Sequence, residues 1–234
     1  MCSRGHKTLF RLDLGKTDYR ETWELQRRLV DLRRQSRIPD CLILTEHNPV
    51  ITMGRASSPE NLLCSREELE KRGVELFEIE RGGDVTFHGP GQLVVYPIID
   101  LNDRGRDLHL YLRELEQTVI DTLDNFGIKG GLKQGLTGVW ADDRKLAAIG
   151  VAVKRWVTYH GLALNVCTDL DYFKLINPCG ITEYAVGSIE SIHEKHVDLG
   201  DVADRLADNF CAVFNCEIES RCVESILSET MEVR

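Results

Sequence analysis

The sequence predicts one α+β domain, 1–234, with strands and helices in two layers. Three observations carry that expectation. Helical periodicities at 18–35 and 107–126 are separated by short strand-like runs. Residues 137–166 read as a meander of strands with charged turns between them. No repeat, low-complexity tract or Pro/Ser-rich linker divides the 234 residues.

The elements follow in order. Asp18 with Glu21 resembles a capping box, and Tyr19, Trp23, Leu29, Val30 and Leu32 recur at roughly helical spacing. That predicts an amphipathic helix over 18–35, with Pro39 ending the region. CLILTE (41–46) and VITMG (50–54) read as strands around a His47-Asn48-Pro49 turn. Ser65 with Glu68 is a second capping box, opening a short helix that stops at Gly73. A strand over 74–80 is broken by Arg81-Gly82-Gly83-Asp84, and an apolar strand follows over 92–101. In the helix at 107–126, Leu108, Leu112, Leu115, Val119, Leu123 and Phe126 share one face, and Gly127 suits its C-cap. Turns are expected at 142–144 and 154–156, and a core-facing helix at 203–214. Residues 1–12 and 220–234 stay unassigned.

Composition narrows the function. With 42% apolar and 29% charged residues the chain can build a core, which excludes disorder as its main state. Lys and Arg total 29 against 38 Asp and Glu, a net charge of −9, so no basic footprint for nucleic acid is present. The longest apolar run near the middle, Leu93 to Ile99, is too short for a membrane span, and the first ten residues lack a secretory apolar region. The eight cysteines include no Cys-x-x-Cys pair, which fits free thiols in a reducing, cytoplasmic setting. The charge is uneven: residues 1–37 carry ten Lys/Arg and five Asp/Glu, while 190–234 carry four and eleven.

Three constellations could carry chemistry. Residues 81–92, RGGDVTFHGPGQ, hold four glycines and a proline. Glycine lets backbone approach a ligand closely, and Arg, Thr, His and Gln supply donors and acceptors; an ordinary connection between strands is the alternative, against which the density of polar groups weighs. It is not a phosphate loop. Asn177-Pro178-Cys179-Gly180-Ile181 places a thiol on a turn, which suits a nucleophile and equally a structural cysteine. Lys145 precedes Leu146-Ala147-Ala148-Ile149-Gly150, and His160-Gly161-Leu162-Ala163-Leu164-Asn165 follows. Small residues on both runs leave room for a chain-like ligand; the same residues also fit close packing. His193 and His196 lack a convincing third metal ligand, so no metal is expected.

Together these residues resemble the lipoyl(octanoyl) transferase family over nearly the whole chain. The resemblance runs from Leu14-Gly15, Tyr19 and Leu25-Gln26 through the segment from His47 to Arg55. It continues through the complete Arg-Gly-Gly-x-x-Thr-x-His-x-Pro-Gly-Gln element at 81–92, Tyr96, Lys145, Gly150, residues 160–165 and Pro178-Cys179-Gly180-Ile181. It implies a fold like the biotin/lipoate protein ligase catalytic domain, a curved mixed β-sheet flanked by helices. It implies an acyltransferase moving an octanoyl group from octanoyl-acyl carrier protein to a lysine of lipoyl domains. The acceptors would be those of 2-oxoacid dehydrogenase complexes and the glycine cleavage H protein. Cys179 matches the acyl-thioester nucleophile and Lys145 the lysine that tunes it. Arg81, Gly82, Gly83, Asp84, Val85, Thr86, Phe87 and His88 match the acyl-substrate pocket, as do Ala148, Ile149, Gly150, Gly161, Leu162 and Ala163. No cofactor is implied, and a monomer is compatible with the pattern.

The chemistry agrees with those roles. Thioester to amide is downhill and needs no ATP. A nearby ammonium raises the thiolate fraction of a cysteine. The alternatives are an ATP-using lipoate or biotin ligase, a cysteine hydrolase using His88 or His160, and a non-catalytic carrier-binding module. The basic stretch offers a docking patch for an acidic carrier through Arg27, Arg28, Arg33 and Arg34.

Overall fold

The computed structural model describes residues 7–177 and 185–232. Along the chain run β1 (Lys7–Thr17), α1 (Tyr19–Arg34), β2 (Asp40–His47), β3 (Val50–Met53), α2 (Arg66–Lys71) and β4 (Glu75–Glu78). Next come β5 (Val85–His88), β6 (Gln92–Ile98), α3 (Leu108–Asn125), β7 (Val139–Ala141), β8 (Arg144–Lys154) and β9 (Val157–Asn165). The last are β10 (Ala185–Val186), α4 (Ile189–His193), α5 (Leu199–Phe214), β11 (Cys216–Ser220) and α6 (Val223–Glu232).

Eight strands form a mixed sheet in the order β10-β8-β9-β6-β2-β1-β11, with β7 added to β8. β2, β6, β9 and β8 are successively antiparallel, whereas β1 pairs parallel with both β2 and β11. A smaller sheet has the order β4-β3-β5. The expected α+β fold, a mixed sheet flanked by helices, is therefore present.

The layering differs from expectation. Leu42 and Leu44 of β2 join the core under α3 and α5, while Cys41 and Ile43 join the core under α1 and α6. Every residue of β6 and β9 is buried. Strands apolar on both faces need cover on both, so helices form a layer on each side. Leu29 and Val30 anchor α1 on its side with at most 1% exposure. Truncating Leu29 to Ala there would cost about 3 kcal/mol.

Local signals resolve physically. Ser65 caps α2 by accepting from the Glu68 N–H at 3.2 Å. Asp18 makes no cap to α1; its carboxylate instead accepts from Asn48 Nδ2 at 2.6 Å. The turns between β7, β8 and β9 centre on Asp142-Asp143 and Arg155-Trp156, all four at positive φ, as two-residue hairpins require. β2 and β3 are not a hairpin: they enter different sheets on either side of Asn48-Pro49. β1, β10, β11, α4 and α6 lacked a distinct periodic signal, and β5 lies inside the glycine-rich stretch.

Of the basic stretch, Arg27 and Arg28 are exposed. Arg33 is not free for docking, since it pairs with Asp40 at 2.6 Å and Asp100 at 3.4 Å. Arg34 pairs with Asp31 at 2.9 Å. No described helix is long and apolar enough to cross a membrane. Among the described residues no group of three His, Cys, Asp or Glu could hold a metal ion.

Candidate active site

Strands β6, β8 and β9 offer a face of small and polar side chains, and residues 81–86 lie against it. Between them is a cavity of about 390 Å³. The loop is fastened to neighbouring strands at two points and braced internally at a third. Gly82 N–H donates to the Val151 carbonyl of β8 at 2.8 Å. Arg81, buried, donates from its guanidinium to the Thr52 carbonyl at 2.7 Å and to Thr52 Oγ1 at 3.0 Å. Asp84 Oδ1 accepts from the Val85 N–H at 2.7 Å.

Two glycines are dictated by close approach. A Cβ on Gly150 would stand 2.8 Å from the Gly82 carbonyl oxygen. One on Gly161 would stand 2.2 Å from the Val95 carbonyl oxygen. Gly150 therefore lets the loop sit on β8, and Gly161 lets β9 pass close to β6. These two glycines thus answer to backbone packing as well as to ligand space.

The cavity is polar at one end. His47 Nδ1 donates to the Thr17 carbonyl at 3.2 Å, so its Nε2 accepts from the Tyr96 hydroxyl at 2.8 Å. His88 Nδ1 lies 2.8 Å from Gln92 Oε1. The Tyr19 ring stacks over His88 with centroids 6.1 Å apart. Burial holds the His47 pKa down at about 4. Burial, with His47 close by, holds that of His88 at about 3. His160 is lowered to about 3, again chiefly by burial. All three imidazoles are neutral at pH 7.

Lys145 lines the cavity from β8, half-buried, with Nζ 5.1 Å from the centre of the Trp140 ring. Its carbonyl accepts from the Gly187 N–H at 3.0 Å. Of the predicted pocket residues, 81–86, 88, 148–150 and 161–163 all line the cavity. Phe87 does not. It faces the core of the smaller sheet, stacked on Tyr172 with centroids 4.7 Å apart, while Thr86 and His88 take the other face of β5; Val85 shares the Phe87 face and borders the cavity at the start of the strand. Cys179 lies outside the described residues. Tyr19, Tyr96, His160, Gln92 and Asn165 also line the cavity, and the resemblance placed none of them in the acyl pocket. Each stood in a motif, but their hydrogen bonds join residues up to 134 positions apart.

The lipoyl protein ligase A/B catalytic domain family matches residues 18–211. The chain belongs to that family. Among curated relatives, an octanoyltransferase of Solibacter usitatus is 49% identical over 205 residues, 88% of this chain and 92% of the relative. One of Clostridium kluyveri is 45% identical over 200 residues, 86% of this chain and 85% of the relative. The chain is thus an octanoyltransferase-family member and a transferase enzyme. A crystal structure of lipoate-protein ligase A bound with ATP matches with TM-score 0.76, covering 96% of this chain and 94% of that one. At 18% identity that likeness speaks for the fold alone. It agrees with the lipoate-ligase fold that the motifs imply.

Proposed function

We propose that the 234 residues form one catalytic domain that moves an octanoyl group from octanoyl-acyl carrier protein to the lysine amine of lipoyl domains, through a thioester on Cys179. The observation that carries the reading is the cavity. The glycine-rich loop, the small residues of β8 and β9, and Lys145 come from separate segments and line one space. Octanoyltransferase relatives at 45–49% identity supply the acyl group.

The steps balance without a cofactor. The Cys179 thiolate attacks the thioester carbonyl, and the bond to the carrier sulfur breaks. The carrier thiol leaves with a proton, for which the Lys145 ammonium is the candidate donor. The acceptor amine then attacks the Cys179 thioester and forms the amide. Its surplus proton returns to Lys145, and the Cys179 thiolate is released. As ammonium, Lys145 also favours the thiolate.

Incubation with octanoyl-acyl carrier protein, then mass spectrometry, tests the reading. An octanoyl mass on Cys179 without ATP, lost in Cys179→Ala, is the expected result. A requirement for free octanoate and ATP would make the chain a ligase. Octanoate release without an acceptor would make it a hydrolase.

A further inference from the structure

One end of the cavity holds a histidine that the transfer chemistry does not use. His160 is 1% exposed and lines the cavity, yet among the described residues neither ring nitrogen has a hydrogen-bond partner. Its backbone takes φ +54° within the wholly buried β9. Such a left-handed conformation costs a residue with a Cβ about 1 kcal/mol. Gln26 supports it by accepting the His160 N–H at 2.8 Å. Gln26 is itself buried, and its Nε2 too has no partner among the described residues. Each buried polar atom left unmet costs about 1–3 kcal/mol. A wall meant only for hydrocarbon needs none of them.

The strand register gives the position. Val151 pairs with His160, and Gly150 with Gly161, while Lys145 lies six residues before Val151 on β8. At about 3.3 Å per residue, Lys145 and His160 are separated by roughly 20 Å along the sheet. A lysine side chain, a thioester and a medium-length acyl chain fill that span together. Between the two, Ala148 faces Ala163, and both small side chains line the cavity, while Gly150 and Gly161 beyond them lie under the Gly82 and Val95 carbonyls. His160 stands beyond them, with Tyr159 and Tyr96 rings 4.9 and 6.4 Å away.

We propose that His160 sets the length of acyl chain the enzyme accepts, closing the inner end of the cavity with its ring and with water held on its ring nitrogens. The proposal rests on the cavity being the acyl pocket. A chain that stops short of His160 leaves the water in place. A longer chain must displace it with methylene groups, which cannot replace its hydrogen bonds. Discrimination against longer chains follows without a steric wall of large apolar residues.

His160→Gly is the decisive variant, because glycine takes φ +54° without strain and removes the ring. The measurement is the rate of acyl-enzyme formation with hexanoyl, octanoyl, decanoyl and dodecanoyl carrier protein, read by intact mass. The expected result is a decanoyl-to-octanoyl rate ratio that rises on the order of tenfold. His160→Asn, which tolerates positive φ and keeps a shorter polar group, is expected to shift the ratio part-way. An unshifted ratio in whichever variant folds, beside normal octanoylation of the wild type, overturns this proposal alone. If the wild type forms no acyl-enzyme at any length, the transfer reading fails, and this proposal fails with it.

Discussion

Gln92 Nε2 donates to Asn165 Oδ1 at 2.9 Å, and the two residues oppose each other directly in the β6–β9 pairing. The same Nε2 donates to the Phe87 carbonyl at 3.1 Å. Both amide hydrogens are then used, so Oε1 accepts, and His88 Nδ1 must carry the hydrogen between them. On the other side, Asn165 Nδ2 donates to the Gly187 carbonyl at 2.9 Å, and Gly187 N–H donates to the Lys145 carbonyl at 3.0 Å. A continuous chain of hydrogen bonds thus joins His88, in the polar part of the cavity, to the backbone of Lys145. It leaves His88 Nε2 as a lone pair.

Gln92→Glu tests that chain with little change of shape. A carboxylate beside His88 Nδ1 favours the imidazolium, so the His88 pKa should rise from about 3. Titration of the His88 ring by NMR reads the shift directly. A ring that titrates as in the wild type would show that Gln92 does not contact it.

The buried histidines also set an acid limit. Their folded pKa values, about 4 for His47 and about 3 for His88 and His160, lie below the ordinary histidine value of 6.5. The unfolded chain therefore binds more protons than the folded one between those values. The sign follows: stability is full above about pH 6.5 and falls with decreasing pH down to about 3. Each group can remove about 1.4 kcal/mol per pH unit in that window. Urea midpoints from pH 7 to pH 4 should fall steadily. A single substitution, His47→Gln, should flatten the fall; a flat wild-type profile would contradict the burial of these rings as neutral groups.

The two glycines of the cavity wall should separate stability from activity. In Gly161→Ala the new Cβ meets the backbone of Val95, which cannot move without disturbing two buried strands. A loss of about 3 kcal/mol is expected, read by denaturant midpoint. In Gly150→Ala the Cβ meets the Gly82 carbonyl of the loop. The loop can shift, so stability should change by less than about 1 kcal/mol while kcat/KM for acyl transfer falls several-fold. Equal stability losses in both variants would put the two contacts on the same footing.

The sequence revealed the long helices because one wide apolar stripe marks each of them, as Leu115, Val119 and Leu123 mark α3. It revealed the hairpins at 142–143 and 155–156 because the strands around them are apolar and the turns charged. The glycine-rich loop and the small β8 and β9 residues were legible as candidates, since their density departs from that of a plain connection. What stayed hidden depends on pairing between distant positions. β1 carries polar residues at Lys7, Arg11, Asp13 and Lys16, and becomes a strand only because β2 and β11 lie on either side. The orphaned nitrogens of His160 are a fact of burial, and nothing in residues 160–165 announces it. The motif at 81–88 does not set Phe87 apart from its neighbours, because a motif has no sides, whereas a strand has two.

The basic stretch at 1–37 lies in a chain whose net charge is −9. An acidic carrier protein approaching that chain is repelled at long range unless a local positive patch guides it. Arg27 and Arg28 are exposed on α1 and have no ion-pair partner among the described residues, Arg27 lying over the Trp23 ring at 5.2 Å. Arg33 is different, being enclosed between Asp40 and Asp100 with a side chain only 12% exposed. Reversing Arg27 and Arg28 together to Glu should leave the unfolding midpoint nearly unchanged. It should raise the apparent KM for acyl-carrier protein several-fold at low salt and flatten its salt dependence. Arg33→Glu should instead cost about 3 kcal/mol of stability, because it places three carboxylates together in a poorly solvated site. A KM and salt dependence indifferent to the double reversal would reduce the Arg27–Arg28 face to an ordinary solvated helix surface. The same KM change in Arg33→Glu at full stability would contradict the ion pairs seen on α1.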